Sequence, residues 1–486
     1  MRRVLPGSLL SVCFLSAAAA CLTSDSAAAV PSLPSLPDTL RSTAASLRDE
    51  TLQGTRAFEI VRSLTVEVGP RPAGSEGDRR AVAWGLRTMR ELGFANVRAE
   101  AVKVPHWEPG VSTGEIASPW AQPMVLLPLG GSVATPDGGI EAEVVAVPSL
   151  QDLEKADPEK IRGKIVFLNK RMERARDGSG YGQTVPGRGR GAAVAGKLGA
   201  VALLLRSVGT DNNRTPHTGG MRYEEGGPRI PAAALSNPDA DVLEAQLAHH
   251  PDDKPVRFHL VLGSRSLPEA DSANVIGEIP GREKGDEVVL LGCHLDSWFP
   301  GTGAIDDGAG CAIMMEAARR IGALPQKPRR TIRVILYANE EFGLSGARAY
   351  AEKHAAELPK HILAGESDFG SGRVWRISSS VAPEALPLFD ELAKLLTPLG
   401  VERGDNEAEG GADLSPMAPA RVPLVGLSQD GTYYFDLHHT ANDTLDKIDP
   451  KDLDQNVAAW AAVAYAAAEM PGDFGRAPEP DTLSPR

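Results

Sequence analysis

Cysteine is scarce in this sequence, and basic residues are outnumbered by acidic ones. Four cysteines occur among 486 residues, and two of them, Cys13 and Cys21, belong to the N-terminal segment. The other two, Cys293 and Cys311, are interpreted as small buried residues rather than as a disulfide, because both belong to predicted core elements. Asp and Glu exceed Lys and Arg by 64 to 51 without any basic cluster, which argues against nucleic acid as a partner.

The chain also lacks a hydrophobic run long enough for a stable membrane span. Its N-terminal apolar run, residues 4–20, is too short, and Arg2 and Arg3 precede it. We interpret residues 1–29 as a signal peptide, which predicts an exported protein, periplasmic or extracellular. In an alternative interpretation Cys21 is lipidated as in a bacterial lipoprotein. The residue three positions before it is Ala instead of the usual Leu, so ordinary cleavage is preferred.

The length of the chain predicts two domains. Residues 51–109 and 266–470 show apolar strand patterns between helical patterns, which is typical of an α/β fold. Between them, residues 110–265 are rich in Gly, Pro and Ala and carry short strand-like runs, so they are interpreted as an inserted mixed α/β module. Residues 30–50 are predicted to form a linker or pro-segment, and residues 471–486 a flexible tail.

The inserted module has no metal-binding signature of its own. One helix is predicted over residues 191–198, and residues 187–190 and 214–225 are expected to be loops. No cluster of acids and histidines with metal spacing occurs there. We therefore interpret the module as a lid or adaptor and not as a second catalytic centre.

Acidic residues and a histidine follow two apolar runs between residues 288 and 346. Residues 288–292 and 332–338 are predicted to be buried strands. Ligands of open α/β sheets bind just beyond the carboxyl ends of the strands. Each short motif alone is common on solvated surfaces, so the hypothesis of a metal site depends on their joint placement. The candidate ligands are two histidines and three acids, namely His294, Asp306, Glu341, Asp368 and His439.

Five side chains suit a pair of metal ions. Two metals about 3.5–4 Å apart that share one carboxylate and take two further ligands each need this number. Carboxylates with imidazoles suit zinc, although cobalt and manganese are chemically allowed. Asp296, two residues after His294, is placed to hold the imidazole. Glu340 precedes a candidate ligand and can take a proton from a water molecule.

Five runs of the sequence carry these residues. They are CHLDS at 293–297, GAIDDGAG at 303–310, NEEFGLSG at 339–346, ESDFG at 366–370 and HHTANDT at 438–444. In order and internal spacing they resemble the five blocks of the M28 zinc metallopeptidases, particularly the plasma glutamate carboxypeptidase (carboxypeptidase Q) branch. The resemblance implies a three-layer α/β/α phosphorylase/hydrolase-like fold with two Zn²⁺ per chain. It also implies that the insert is a protease-associated (PA) domain.

The resemblance assigns a role to each residue of the site. His294 and Asp368 would bind one zinc, and Glu341 and His439 the other. Asp306 would bridge the two ions; its neighbour Asp307 is the less favoured candidate. Catalysis would fall to two further acids, Glu340 as the base and Asp296 as the support of His294.

Five other residues are candidates for contact with substrate, each with a structural alternative. Asp413, in a Gly-Gly-x-Asp loop, would bind a substrate amine or cap a turn. Tyr433 and Tyr434 would line the pocket or pack. His438 would polarise the substrate carbonyl or remain structural, and His217 would reach the site from the insert or lie in a loop.

The resemblance predicts an exopeptidase that hydrolyses dipeptides or short peptides with free termini. An aminopeptidase and a carboxypeptidase acting on longer peptides are the nearby alternatives, because the metal site does not distinguish them. An inactive, receptor-like binding protein on the same fold is an alternative of another class, and the complete set of ligands with Glu340 argues against it. The resemblance also suggests a homodimer.

Overall fold

The computed structural model describes residues 36–479. The predicted signal peptide, the lipidation site at Cys21 and residues 30–35 lie outside the described residues, as do residues 480–486. Within the described part of the chain, no helix is long and apolar enough to cross a membrane.

Helices and strands alternate along most of the chain. Between residues 36 and 479 the helices are α1 (Asp38–Thr51), α2 (Ala57–Glu67), α3 (Glu76–Glu91), α4 (Leu150–Glu154), α5 (Pro158–Ile161), α6 (Ser179–Lys197), α7 (Asn237–His249), α8 (Ala309–Gly322), α9 (Ser345–Lys353), α10 (Leu386–Ala393) and α11 (Pro450–Glu469). The strands are β1 (Ala95–Glu108), β2 (Ser112–Ser118), β3 (Gln122–Met124), β4 (Leu126–Pro128), β5 (Ile140–Val147), β6 (Ile165–Leu168), β7 (Ala202–Arg206), β8 (Ala232–Leu235), β9 (Arg257–Leu262), β10 (Arg265–Ile279), β11 (Lys284–His294), β12 (Arg330–Tyr337), β13 (His361–Glu366), β14 (Val374–Ser380), β15 (Glu402–Arg403) and β16 (Leu424–Gln429).

The main body is built on a sheet of order β1-β10-β12-β11-β13-β16-β14-β15. Its central strand β11 runs parallel to both neighbours, β12 and β13. Successive residues of β11 point to opposite faces. Val289 and Leu291 join the core that contains α8 and α11, whereas Val288 and Leu290 join the core that contains α9. Helices therefore cover both faces, and the predicted three-layer α/β/α class is confirmed.

A second sheet, of order β3-β2-β9-β5-β6-β7-β8-β4, forms the core of the inserted module. Strands β5 to β8 are parallel neighbours in sequence order, as expected for short βαβ units. The chain enters this module from β1 and returns through β10. These two strands pair antiparallel as far as Glu108 and Arg265, so the module stands at the end of a two-stranded connection from the main sheet.

Two predictions about the ends of the chain are corrected. Residues 36–50 are not a linker, because they carry most of α1, whose Leu40 and Leu47 are buried in the main core. The predicted flexible tail is wrong for residues 471–479. Phe474 is buried against Phe389, with ring centroids 5.7 Å apart. Arg330 also donates a hydrogen bond to the carbonyl oxygen of Gly472 at 2.8 Å.

Helix α6 of the insert begins twelve residues before the predicted start at residue 191, so residues 187–190 are helical and not a loop. Pro186 and several glycines give this segment a poor helix propensity. Packing overrides that propensity. A Cβ atom at Gly187 would lie 2.8 Å from Leu168 and one at Gly191 would lie 3.2 Å from Leu203, so the missing side chains let the helix approach the sheet closely.

Candidate metal centre

The candidate ligands gather at one edge of the main sheet. Strand β11 ends at His294, β12 ends three residues before Glu340, and β13 ends two residues before Asp368. These three strands are parallel neighbours, so their carboxyl ends meet at the same edge. Asp306 lies in the irregular turn Ala304–Gly308 before α8, and His439 comes from the loop before α11.

Two groups of three side chains share one carboxylate. In the first group, His294 Nε2 lies 3.0 Å from Asp306 Oδ1 and 3.4 Å from Asp368 Oδ1. In the second, His439 Nε2 lies 3.3 Å from Asp306 Oδ2 and 2.8 Å from Glu341 Oε2. Asp306 thus presents a different oxygen to each group, which is the arrangement of a bridging carboxylate.

The spacing of these atoms fits zinc. Ligand atoms about 2.0–2.2 Å from a tetrahedral zinc lie roughly 3.3 Å from one another, close to the separations between each histidine nitrogen and its two carboxylate oxygens. Glu341 Oε1 is buried and has no hydrogen-bond partner among the described residues, as expected for an oxygen that binds a cation. Two imidazoles with three carboxylates are also a donor set that zinc accepts.

Both histidines present the same ring nitrogen to the site. His294 Nδ1 lies 3.0 Å from the carbonyl oxygen of Asp296, and His439 Nδ1 lies 3.2 Å from the carbonyl oxygen of Thr218. A carbonyl oxygen only accepts, so Nδ1 carries hydrogen in both rings and Nε2 is free to bind a metal. The support of His439 comes from the inserted module, which makes the module a structural part of the site.

Asp296 supports the site in a different way from the one predicted. Its main-chain carbonyl holds His294, while its carboxylate oxygen Oδ1 lies farther from the ring, at 3.6 Å from Nδ1. The same Oδ1 accepts a hydrogen bond from the backbone N–H of Glu340 at 3.0 Å. Asp296 therefore links the end of β11 to the residue predicted to be the base.

The choice between Asp306 and Asp307 follows from their hydrogen bonds. Asp307 accepts from the backbone N–H groups of His294 at 3.2 Å and Gly310 at 3.0 Å, so both of its oxygens are engaged away from the ligand groups. Asp443 accepts from the backbone N–H of Asp306 at 3.3 Å and fixes the turn that carries it. Geometry therefore favours Asp306 as the shared ligand.

His438 lies against the same carboxylate but is not equivalent to His439. Its Nε2 is 3.6 Å from Asp306 Oδ2, and its ring stacks on that of His439 with centroids 3.7 Å apart. Burial and the adjacent His439 hold the pKa of His438 well below its usual value, so this ring stays neutral.

The carboxylates create a strongly negative field at the site. Burial alone would lower the pKa of His439, but Glu341 and Asp306 raise it to about 9. Burial also raises the pKa of Glu340 well above its usual value, and the charge of Asp368 adds to this effect. Bound cations would relieve this field, so the electrostatics and the geometry agree.

A cavity of about 1490 Å³ between the insert and the main body opens onto these groups. Tyr434, His438 and Glu340 line it, together with four of the candidate ligands, Asp306, Glu341, Asp368 and His439. Three residues predicted to contact substrate do not line it. His217 and Asp413 are fully buried outside the lining, and Tyr433 is 68% exposed beside Arg174.

Several residues that stabilise the site were not predicted from the sequence. Arg71 donates to the carbonyl oxygens of Leu295 and Gly303 and secures the loop after β11. Thr218 acts through its main chain, which no side-chain motif reveals. Asp443 could have been identified from the sequence, because it belongs to the 438–444 motif. Cys293 and Cys311 are buried and free, as predicted.

Comparison with known proteins adds independent information. The sequence model of peptidase family M28 matches residues 274–464. Carboxypeptidase Q of Mus musculus is 37% identical over 415 residues, which are 85% of this chain and 86% of that protein. The crystal structure of a peptidase M28 precursor from Shewanella amazonensis SB2B is 50% identical, with a TM-score of 0.88 over 91% of this chain and 99% of that chain. A zinc aminopeptidase from Bacillus subtilis has the same fold at 20% identity, with a TM-score of 0.62 over 87% of this chain and 97% of that one.

Proposed function

This chain belongs to peptidase family M28, and from that premise we propose that it is an exopeptidase with two zinc ions that hydrolyses dipeptides or short peptides with free termini. The similarity to carboxypeptidase Q supports a substrate with a free carboxyl end. All five candidate ligands and Glu340 are present, which speaks against the inactive, receptor-like alternative.

The position of Asp306 carries the proposal of two metals. Its Oδ1 faces His294 and its Oδ2 faces His439, each within hydrogen-bonding or ion-pair distance. A site for one metal would need only one of these oxygens. We therefore assign His294 and Asp368 to one zinc, Glu341 and His439 to the other, and Asp306 to both.

The residues around the metals have different roles in hydrolysis. When bound, the zinc pair would supply a Lewis acid that polarises the substrate carbonyl and makes a water molecule more acidic. Glu340, held by Asp296 through its backbone N–H, takes the proton of the attacking water and passes it to the leaving amine. The neutral ring of His438 lines the cavity beside Asp306 and is placed to donate a hydrogen bond to the substrate oxygen.

An aminopeptidase that acts on longer peptides is the second candidate. The cavity of about 1490 Å³ exceeds the roughly 300–1,000 Å³ of common small-molecule sites. This extra room would accept a longer peptide, and the metal groups would serve either substrate equally well.

Three broader predictions belong to the same proposal. We assign the inserted module, residues 110–265, to the PA domain type because of the resemblance of the whole chain to the carboxypeptidase Q branch. We propose export from residues 1–29, with lipidation at Cys21 as the alternative. The homodimer suggested by the same resemblance stays a prediction that sedimentation of the purified protein would check.

Metal analysis and a substrate panel test the function together. The purified protein should contain about two zinc ions per chain, and chelation should abolish hydrolysis of dipeptides. N-blocked dipeptides and aminoacyl anilides, assayed in parallel, separate the alternatives, because an aminopeptidase needs the free amine and accepts the anilide. A protein that binds no zinc, or that hydrolyses none of these compounds with zinc bound, would contradict the proposal.

A further inference from the structure

A buried arginine that has no ion-pair partner among residues 36–479 faces the cavity beside the candidate metal centre. Arg188, on helix α6 of the insert, is only 8% exposed and contributes to the cavity lining. Its Nη2 donates to the hydroxyl of Tyr181 at 2.7 Å and its Nη1 to the carbonyl oxygen of Thr218 at 3.2 Å. Both acceptors are uncharged, and the buried Nε has no hydrogen-bond partner within the described part of the chain.

Other fully buried arginines are satisfied differently. Arg206 pairs with Asp241 at 2.7 Å, and Arg330 pairs with Glu287 at 2.5 Å. Arg71 forms no ion pair among the described residues but uses Nε and both terminal nitrogens on carbonyl oxygens. A guanidinium that is withdrawn from water without an anion is unfavourable. Arg188 therefore has the features of a cation that pairs with an anionic group of a bound ligand.

The arginine lies next to one of the candidate metal ligands. A Cβ atom at Gly219 would be 2.5 Å from the Arg188 guanidinium carbon and 2.7 Å from His439 Nδ1. The two side chains thus pack on the same small residue, whose φ of +136° also favours glycine. A ligand that touches Arg188 from the cavity is accordingly within a few ångströms of the ring of His439.

We propose that Arg188 binds the C-terminal carboxylate of the substrate. This inference rests on the proposed function and makes its substrate class more specific: peptides whose free carboxylate is one residue away from the scissile bond. A planar guanidinium with N–H groups to spare matches a carboxylate in two-point, charge-assisted hydrogen bonds. Arg188 and His439 both lie within 2.7 Å of one Cβ position at Gly219, and this proximity favours a single residue between the carboxylate and the bond that is cut.

A neighbouring arginine provides a matched control. Arg190 lies two residues farther along α6 and lines the same cavity, but it is exposed and pairs with Glu154 at 2.7 Å. It has the same side chain as Arg188, but its guanidinium is already paired with the carboxylate of Glu154.

The first test uses the wild-type holoenzyme and two peptides, alanyl-leucine and alanyl-leucinamide. These differ only in the charge of the C-terminal group. We expect kcat/KM to be about 30- to 100-fold higher for the free acid, the usual size of a buried charge-assisted hydrogen-bond pair. Equal rates on both peptides would overturn the assignment of Arg188 and leave the peptidase function standing. No hydrolysis of either peptide would overturn the function, and this inference with it.

The second test compares three variants with intact zinc content. Arg188→Gln should remove the preference for the free acid, mainly through a higher KM. Arg188→Lys should restore part of it, because a lysine keeps the charge but loses the planar fork. Arg190→Gln should keep the wild-type preference. If Arg188→Gln and Arg188→Lys both retain that preference, or if Arg190→Gln loses it equally, Arg188 is not the carboxylate site.

Discussion

His217 donates a hydrogen bond from Nδ1 to the carbonyl oxygen of His438 at 2.8 Å, although the two residues are 221 positions apart in the chain. The other ring nitrogen, Nε2, lies 2.6 Å from Asp211 Oδ1. The fully buried ring is therefore held between a main-chain carbonyl and a carboxylate. This pair ties the inserted module to the loop that carries His439.

Replacing His217 should therefore weaken metal binding although His217 is not a ligand. We expect His217→Gln to lower zinc affinity about 10-fold, as loss of supporting interactions around a metal site commonly does. The measurement is competition for zinc against a chelator of known affinity. His249→Gln, at an exposed histidine of the same module, is the control and should bind zinc like the wild type.

Replacing both His217 and Asp211 tests whether the pair positions the metal site or only stabilises the fold. His217→Gln alone leaves Asp211 buried without its partner, which should lower the melting temperature. The double variant Asp211→Asn, His217→Gln should regain part of this stability but not the zinc affinity. Recovery of both would mean that the pair only stabilises the fold.

Glu340→Gln should separate catalysis from metal binding. The amide cannot take a proton, so kcat should fall by about 10²–10⁴-fold, while zinc content stays at the wild-type value because Glu340 belongs to neither ligand group. Zinc analysis and dipeptide hydrolysis on the same sample are the measurements. Glu352→Gln, at an exposed glutamate of α9, is the matched control. Full activity of Glu340→Gln would remove this residue from the mechanism.

Metal removal should destabilise the whole protein. Without cations, Asp306, Glu341 and Asp368 repel one another in a buried site, and a ligand at about 1,000 times its Kd contributes about 4 kcal/mol to folding. We expect chelation to lower the melting temperature by several degrees and added Zn²⁺ to restore it. Asp306→Asn should respond much less to both treatments. An unchanged melting curve of the wild type after verified zinc removal would contradict the bridging arrangement.

A buried ion pair predicts how stability changes with pH. Burial alone would raise the pKa of Glu100, but His354 and Arg98 outweigh it and hold the pKa at about 2. The folded-state pKa lies below the ordinary glutamate value of 4.5, so this stabilisation is present above about pH 4.5 and is lost as the pH falls toward 2. Glu100→Gln should therefore lower the melting temperature at pH 6 and much less at pH 3. An equal difference at both pH values would show that the charge of Glu100 is not responsible.

Helix α1 should contribute to stability as an ordinary core element. Leu47 is 4% exposed within the main core, and the neighbouring Arg48 donates to the carbonyl oxygen of Leu395 at 2.5 Å. Leu47→Ala should reduce the free energy of unfolding by about 2–4 kcal/mol. Leu52→Ala, at a 39% exposed position at the end of the same helix, should change it by less than about 0.5 kcal/mol. Similar effects of the two substitutions in chemical denaturation would contradict the packing of α1.

Much of the fold was readable from the sequence because local patterns agreed with tertiary packing. The apolar runs before His294 and Glu340 predicted buried strands, and these are β11 and β12. Where local and tertiary preferences disagreed, the predictions were wrong. Glycines and Pro186 concealed most of α6, and the Pro- and Ser-rich stretch before residue 50 concealed α1.

The sequence by itself determined which chemical groups this protein carries and in what order, because motif spacing is a local property. It identified His294, Asp306 and His439 as candidates without knowledge of any distance. Only the tertiary structure decided that Asp306 offers one oxygen to each group, that a carbonyl of the insert orients His439, and that Arg188 is buried without an anion. These are contacts between segments that are far apart in the sequence, and their geometry arises only when the chain folds.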